Sequence, residues 1–175
     1  MKKVNMYTDG ACSGNPGKGG FGIILEYNGK KKEISEGYEL TTNNRMELMA
    51  VIKGLEALKE LCHVTVTTDS KYVVDAVNKG WLYKWEENNW VKSDRKPVQN
   101  IDLWENLLVL MDEHEVEFVW VEGHNGHPEN ERCDKLAVAA YNCDDLQIDY
   151  NYGEWGAKEC FLRNLNYPLN QSLMI

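Results

Sequence analysis

Alternating hydrophobic and polar positions dominate the first forty residues, a pattern typical of β-strands. It predicts three strands, Val4–Asp9, Phe21–Tyr27 and Lys30–Gly37. Asn28-Gly29 separates the last two and favours the tight turn of a β-hairpin. The glycine-rich segment Gly10 to Gly20 predicts a turn between the first two strands.

From Asn43 onwards the spacing of apolar residues is that of a helix. The residues predicted to form one buried stripe on this helix are Leu48, Val51, Ile52, Leu55 and Leu58. A fourth strand, Val64–Asp69, comes next, and Ser70 is well placed to cap a helix that runs to about Asn78.

The second half of the chain begins with a polar, tryptophan-rich segment, Gly80 to Asn100. A helix near Ile101–Asp112, a fifth strand Val116–Val121, a loop Gly123–Asn130 and a last helix to about Cys143 follow. This order predicts one α/β domain in which helices flank a five-stranded sheet. The weak periodicity after Cys143 predicts no particular element.

Length and composition fit one globular domain, since the chain has 175 residues of which 43% are hydrophobic. No apolar run is long enough to span a bilayer, and Met1-Lys2-Lys3 leads into a strand rather than a signal peptide. Five cysteines without Cys-x-x-Cys spacing indicate reduced thiols. We therefore expect a cytoplasmic protein that does not associate with membranes.

The net charge of −9 argues, taken alone, against a nucleic-acid partner. Such proteins usually carry a basic surface that neutralises phosphates. Cations held by carboxylates, or a local cluster of basic residues, would reconcile the charge with such a partner. The motifs must decide.

Two predicted strands end alike, in Thr8-Asp9 and Thr68-Asp69. A right-handed crossover through the helix between them would make these strands parallel neighbours and bring the two aspartates together. Glu47 stands at the edge of the apolar stripe, and Asp134 lies in the last helix.

Crowded carboxylates repel one another unless a cation neutralises them, and oxygen ligands favour Mg²⁺ or Mn²⁺. Each acid taken alone is better explained as a helix cap or a surface charge, although the matching ends of the two strands weaken that explanation. The spacing therefore supports a metal site only as a hypothesis.

Four blocks of the sequence resemble bacterial type I ribonuclease H. They are Thr8–Gly17, Thr41–Met49, Thr68–Tyr72 and Gly123–Asp134, with a further likeness at Lys96–Trp104. The resemblance covers about Val4 to Tyr152. It implies a ribonuclease H type I domain over 1–152, with a ribonuclease H-like fold and a monomeric state, and leaves 153–175 as a C-terminal extension.

The resemblance also implies the roles of individual residues. Asp9, Glu47, Asp69 and Asp134 would be the metal-binding catalytic acids, holding two Mg²⁺ ions when substrate is bound, with Mn²⁺ as an alternative. His124 would relay protons or assist product release. His127 is expected to order the loop and Cys133 to pack in the core.

Residues that would grip an RNA–DNA hybrid are Asn15, Thr42, Asn43, Asn44 and Trp81. The first four serve equally as turn and cap residues. For Arg45 two interpretations stay open, a phosphate contact or an ion pair with a nearby acid.

The sequence departs from the family in three places. The protrusion, residues 80–100, is strongly basic in many bacterial relatives, whereas here four basic residues oppose three acidic ones. Lys71 stands beside Asp69, where the family leads us to expect an uncharged polar residue. The extension is either an element packed on the domain or a peptide that binds a protein partner.

The implied function is endonucleolytic hydrolysis of the RNA strand of RNA–DNA hybrids by a two-metal-ion mechanism. It would leave 5′-phosphate and 3′-hydroxyl ends and serve to remove primers and R-loops during DNA replication. One alternative is a nuclease of the same fold acting on junctions or DNA. The other is a non-catalytic hybrid-binding module.

Overall fold

The computed structural model describes residues 1–152. Its strands are β1 (Lys2–Cys12), β2 (Gly17–Tyr27), β3 (Lys30–Thr41), β4 (Cys62–Thr68) and β5 (Glu115–Trp120). Its helices are α1 (Asn43–Glu56), α2 (Lys71–Asn78), α3 (Trp81–Glu87), α4 (Ile101–Glu113) and α5 (Pro128–Tyr141). The predictions about the extension, residues 153–175, lie outside the described residues.

The five strands form one mixed sheet in the order β3-β2-β1-β4-β5. β1 pairs antiparallel with β2 and parallel with β4, and β4 pairs parallel with β5. Thr8 lies opposite Thr68 in the last pair of this parallel ladder, and β1 continues from there to Cys12 along β2. The predicted fold class and the parallel pairing of these two strands are confirmed.

Helices α1 and α5 cover opposite faces of β1 and β2. On one face, Gly54 of α1 approaches Met6 so closely that an added Cβ would lie 2.6 Å from the methionine sulfur. On the other face, a Cβ at Gly22 would lie 2.2 Å from the carbonyl oxygen of Cys133 in α5. The two helices therefore enclose the centre of the sheet between them.

Burial of α1 extends beyond the predicted stripe, because every residue from Arg45 to Ile52 is buried. Leu58 differs from the prediction. It lies after the end of α1 and is only partly buried. Within residues 1–152, no helix combines the length and the apolar character that a membrane span requires.

The predicted turn from Gly10 to Gly20 is wrong at both ends, since only residues 13–16 separate β1 from β2. Gly10 pairs with Phe21 and Cys12 with Gly19, so the glycines at both ends of the segment continue the antiparallel ladder. β3 likewise extends to Thr41 rather than Gly37. The Asn28-Gly29 turn is confirmed, with positive φ at both residues.

Candidate active site

Three carboxylates meet at the edge of the sheet where the parallel pairing of β1 with β4 ends. Asp9 lies one residue beyond Thr8, Asp69 one residue beyond Thr68, and Glu47 reaches them from the second turn of α1. One carboxylate oxygen from each of the three lies within 4.8 Å of the others. Parallel pairing of β1 with β4 therefore brings together two acids that are 60 positions apart in the sequence.

Glu47 reaches the strand ends because Gly10 lets α1 lie directly on β1. A Cβ at Gly10 would stand 2.5 Å from the backbone nitrogen of Glu47, too close for any other residue without a shift of the helix. The backbone N–H of Gly10 also donates a 2.8 Å hydrogen bond to Oδ1 of Asp9. The same glycine thus sets the position of two of the three carboxylates.

Burial and mutual repulsion raise the pKa values of these three acids above their ordinary values. Burial, followed by the charges of Asp69 and Asp134, raises the pKa of Asp9 to about 8. Burial and the charges of Asp9 and Asp69 raise the pKa of Glu47 well above its usual value. The pKa of Asp69 is also raised, mainly by burial. Without a cation the cluster is strained electrostatically.

The remaining predicted site residues lie near this cluster. Asp134, half-buried in α5, stands outside the group of three, yet its charge raises the pKa of Asp9, Glu47 and Asp69. His124 is exposed in the loop before α5, with a left-handed φ of 55°, and its charge lowers the pKa of Asp69. The sheet and α5 therefore bring all five residues into one region.

The donor set fits a hard divalent cation. Oε2 of Glu47 is buried and has no hydrogen-bond partner among residues 1–152. This carboxylate oxygen has therefore lost its contact with water without gaining a hydrogen bond in return. Several carboxylates without histidine or thiolate ligands match the preferences of Mg²⁺ and Mn²⁺. A cation would satisfy the free oxygen and relieve the repulsion at once.

Asn130 is a polar residue at the site that sequence reasoning missed. It lies in the first turn of α5 and is only 2% exposed, and its amide nitrogen has no partner by hydrogen-bond geometry among the described residues. The amide nevertheless faces Asp69 closely enough to lower that carboxyl's pKa. The available signal in the sequence was its position in the first turn of α5, three residues after the helix cap His127.

The loop residues around Asn130 behave as expected. His127 caps α5, since its Nδ1 accepts a 3.4 Å hydrogen bond from the backbone of Asn130, and its ring packs 5.7 Å from that of Tyr7. Cys133 is fully buried. Both predictions, loop ordering and core packing, are confirmed.

Thr42, Asn43, Asn44 and Asn15 gather where β3 passes into α1. The hydroxyl of Thr42 caps α1 by accepting from the backbone N–H of Arg45 at 3.3 Å. Oδ1 of the exposed Asn15 accepts from the backbone N–H of Asn43 at 3.2 Å. Thr42, Asn43 and Asn44 are half-buried. Cap and turn chemistry is therefore present here.

The two interpretations of Arg45 resolve in favour of ion pairing. Its guanidinium is 3% exposed and binds Asp149 through Nε at 2.6 Å and Asp102 through Nη2 at 2.7 Å. Nη1 also donates to Oδ1 of Asn100 at 3.3 Å. Arg45 thus joins α1, α4 and the segment after α5, and its charge is fully engaged by acids.

The tryptophans of the protrusion divide into packing and exposed residues. Trp85 packs edge-on against the buried Trp104 at 5.8 Å, and Trp90 is partly buried against the core. Trp81, at the start of α3, is 41% exposed and carries the ammonium of Lys79 over its ring at 5.0 Å. Of the three, Trp81 is therefore the one accessible to a ligand.

Comparison with known proteins agrees with this architecture. The sequence model of the RNase H family matches residues 1–142. A ribonuclease H of Desulforamulus reducens is 58% identical over 149 residues, covering 85% of this chain and 94% of the relative. A ribonuclease H of Salmonella arizonae is 56% identical over 140 residues, covering 80% of this chain and 90% of the relative.

Solved structures show the same fold. LC9-RNase H1, described as a type 1 RNase H with the type 2 active-site motif, gives a TM-score of 0.72 at 33% identity, covering 81% of this chain and 72% of that one. LC11-RNase H1, solved in complex with an RNA/DNA hybrid, gives 0.60 at 25% identity, covering 79% and 96%.

A mixed sheet of this order, with carboxylates where the parallel pairing of β1 with β4 ends, defines the ribonuclease H-like class of α/β proteins. The chain belongs to the ribonuclease H family, whose members depend on metal ions.

Proposed function

We propose that this chain is an endonuclease that hydrolyses the RNA strand of RNA–DNA hybrids at the Asp9–Glu47–Asp69 cluster. The observation that carries the proposal is the meeting of these three carboxylates at one edge of the sheet. The naming of its relatives as ribonuclease H supports the same reaction. The expected products carry 5′-phosphate and 3′-hydroxyl ends, and the expected roles are removal of primers and R-loops.

Asp9, Glu47 and Asp69 would hold Mg²⁺, or Mn²⁺ in its place, with Asp134 as the fourth acid beside the cluster. Two such cations, when bound, would supply positive charge that neutralises the carboxylates and the charge developing on the phosphoryl group. His124 is exposed on a loop and near Asp69, which suits a group that passes protons between the site and solvent. Asn130 would orient the carboxylate of Asp69.

Substrate recognition is proposed for the surface around the start of α1. The side chains of Asn15, Thr42, Asn43 and Asn44 would contact ribose 2′-hydroxyl groups and phosphates, which distinguishes an RNA strand from DNA. Trp81 would lie against the DNA strand. Support comes from their gathering at one surface and from the exposure of Trp81.

A cytoplasmic location also stays a proposal. It is supported by the cysteines at positions 12, 62, 133 and 143, which are all free.

Strand-specific cleavage tests this function. Each strand of a hybrid is labelled in turn, and its cutting is compared with that of duplex RNA, duplex DNA and a four-way DNA junction in Mg²⁺. We expect cleavage of the RNA strand of the hybrid alone. Ca²⁺ should bind without supporting turnover, because its longer bonds and higher coordination number spoil the octahedral geometry. Cutting of junction or duplex DNA would favour the other nucleases of this fold, and binding without cutting would indicate a hybrid-binding module.

A further inference from the structure

A lysine and a tryptophan form a pair beside the carboxylate cluster. Trp120, the last residue of β5, donates a 3.0 Å hydrogen bond from its indole Nε1 to the backbone carbonyl of Asp69. Lys71, two residues after Asp69, places its ammonium 4.6 Å from the centre of the Trp120 ring. The Lys71–Trp120 pair is therefore anchored on the backbone of a site residue.

The charge of Lys71 is available to a ligand. Within residues 1–152, Lys71 has no acidic partner within salt-bridge distance, although Asp69 and its neighbouring acids are close in the fold. Lys71 is exposed, and Trp120 is 42% exposed. An aromatic face attracts a cation without neutralising its charge, so the ring holds the ammonium in place and leaves it positive.

This positive charge matters because the chain as a whole is acidic. The net charge is −9, and in the protrusion Lys84, Lys92, Arg95 and Lys96 are opposed by three acids. Arg45, near the start of α1, is engaged by two acids. A polyanionic substrate that approaches the carboxylates therefore meets Lys71 as a cation fixed at the edge of the site.

We propose that Lys71, held on the ring of Trp120, binds a phosphate of the RNA strand adjacent to the bond that is cut. The inference rests on the proposed function and adds a charged contact to it. Lys71 is two residues from Asp69 in the sequence, and Trp120 is hydrogen-bonded to the backbone of Asp69. Because the RNA strand is the one cut at Asp69, we take it as the partner of the pair. Trp120 is a positioning residue that acts through Lys71.

The test measures binding of a short hybrid across salt concentrations, with Ca²⁺ in place of Mg²⁺ so that no cutting occurs. Loss of one phosphate contact in Lys71→Gln should reduce the slope of log affinity against log salt by about 0.7–0.9. At roughly 0.1 M salt this change in slope means that Lys71→Gln binds the hybrid about five- to tenfold more weakly than wild type, and KM should rise by the same factor. Trp120→Leu should weaken binding in the wild-type background and have little further effect on binding in Lys71→Gln.

Lys2→Gln is the matched control. Lys2 also lies over an aromatic ring, that of Tyr27 at 5.5 Å, but at the start of β1, the opposite end of the strand from Asp9. Lys2→Gln removes one positive charge, as Lys71→Gln does, and should leave the hybrid affinity and the salt slope unchanged.

The contacted strand is identified with uncharged methylphosphonates placed singly along the hybrid. A methylphosphonate at one position of the RNA strand should weaken binding by wild-type protein as much as Lys71→Gln does. The same methylphosphonate should not weaken binding by Lys71→Gln any further. Wild-type slope in Lys71→Gln would overturn the inference, as would a matching position on the DNA strand. Failure of wild-type protein to cut a labelled hybrid would instead overturn the proposed function, so the two failures are distinguishable.

Discussion

At the scale of single residues, the buried acids of the site oppose folding when no cation is bound. The folded-state pKa of Asp9 is about 8, whereas the ordinary pKa of an aspartate is 3.8. Between these values the unfolded chain ionises this carboxyl while the folded chain keeps its proton. The folded state therefore binds more protons, and stability falls as pH rises from about 4 to about 8.

Asp9→Asn should therefore stabilise the protein when metal is removed with EDTA. We expect a gain of about 1–2 kcal/mol at pH 8 that shrinks towards pH 4, because the variant removes one member of a repelling group. Urea unfolding at the two pH values measures it, with the exposed Asp112→Asn as a control that should show no such gain. Lower stability of Asp9→Asn at pH 8 would show that repulsion does not dominate. Adding Mg²⁺ should reverse the order by stabilising the wild type more than the variant.

His124→Ala should lower kcat while sparing binding of hybrid and metal. A proton relay assists the reaction but is partly replaceable by water, so we expect a loss of about a hundredfold, the lower end of what a positioned acid or base contributes. Single-turnover rates, compared with hybrid affinity in Ca²⁺, separate the two effects. Abolished affinity for metal in this variant would instead make His124 a ligand or a structural residue.

The sequence predicted Asp9 and Asp69 because each is the last residue of a predicted strand, and parallel pairing makes such residues neighbours. In the structure β1 continues to Cys12, but its pairing with β4 still ends at Thr8. Arg45 stayed undecided because its partners, Asp102 and Asp149, are 57 and 104 positions away and belong to elements whose placement no local pattern shows. Asn130 was missed for a related reason. An amide near a helix start predicts capping, and only the packing of α5 on β1 and β2 brings it near Asp69.

At the scale of elements, Arg45 fastens the segment after α5 to the start of α1. Asp149 is 2% exposed at its side chain and accepts from Arg45 and from the hydroxyl of Thr41 at 2.9 Å. The segment therefore closes over the junction between β3 and α1, from which Thr42 to Asn44 project. Loss of this segment's contacts should therefore disturb the proposed substrate surface as well as lower the stability of the domain.

Asp149→Ala should destabilise the domain by about 2–4 kcal/mol, because it leaves a buried guanidinium only partly paired. The matched control is Asp144→Ala, an exposed acid in the same segment, which should change stability little. Urea denaturation of the two variants gives the comparison. Equal stabilities would mean that Asp102 alone compensates Arg45.

The glycine-rich segment shows why strand boundaries were mispredicted. Glycines predict turns because they tolerate unusual backbone angles, yet Gly20 and Gly22 lie within β2. A Cβ at either would stand within 2.5 Å of a carbonyl oxygen in α5. They are glycines because a helix packs directly on the strand there, and tertiary contact of this kind leaves no local signature.

The protrusion should bind DNA phosphate more tightly once its acids are replaced. Glu86 and Glu87 are exposed on α3, the helix that presents Trp81. Glu86→Lys with Glu87→Lys should tighten hybrid binding and steepen the salt slope by about 0.9 for each added phosphate contact. The matched control is Asp112→Lys with Glu113→Lys, adjacent exposed acids where α4 ends. An equal gain in both double variants would show a general charge effect rather than a contact at the protrusion.

At the scale of the whole molecule, the order of elements was predictable because strand and helix periodicities alternate clearly along most of the chain. The sheet order β3-β2-β1-β4-β5 follows from a hairpin meander and right-handed crossovers. Net charge was a poor guide. With 28 acidic and 19 basic residues, the total says nothing of where single charges are fixed, as at Lys71, or cancelled, as at Arg45.

The central claim is that the carboxylates gathered where the pairing of β1 with β4 ends perform the cleavage of RNA in a hybrid. The most direct test is the rate at which Asp69→Asn, shown by urea unfolding to be folded, cuts the labelled RNA strand in Mg²⁺. We predict a fall of roughly a hundredfold or more relative to wild type, because the variant removes a charged group from the centre of the site. A folded Asp69→Asn protein that cuts at a rate near wild type would contradict the account.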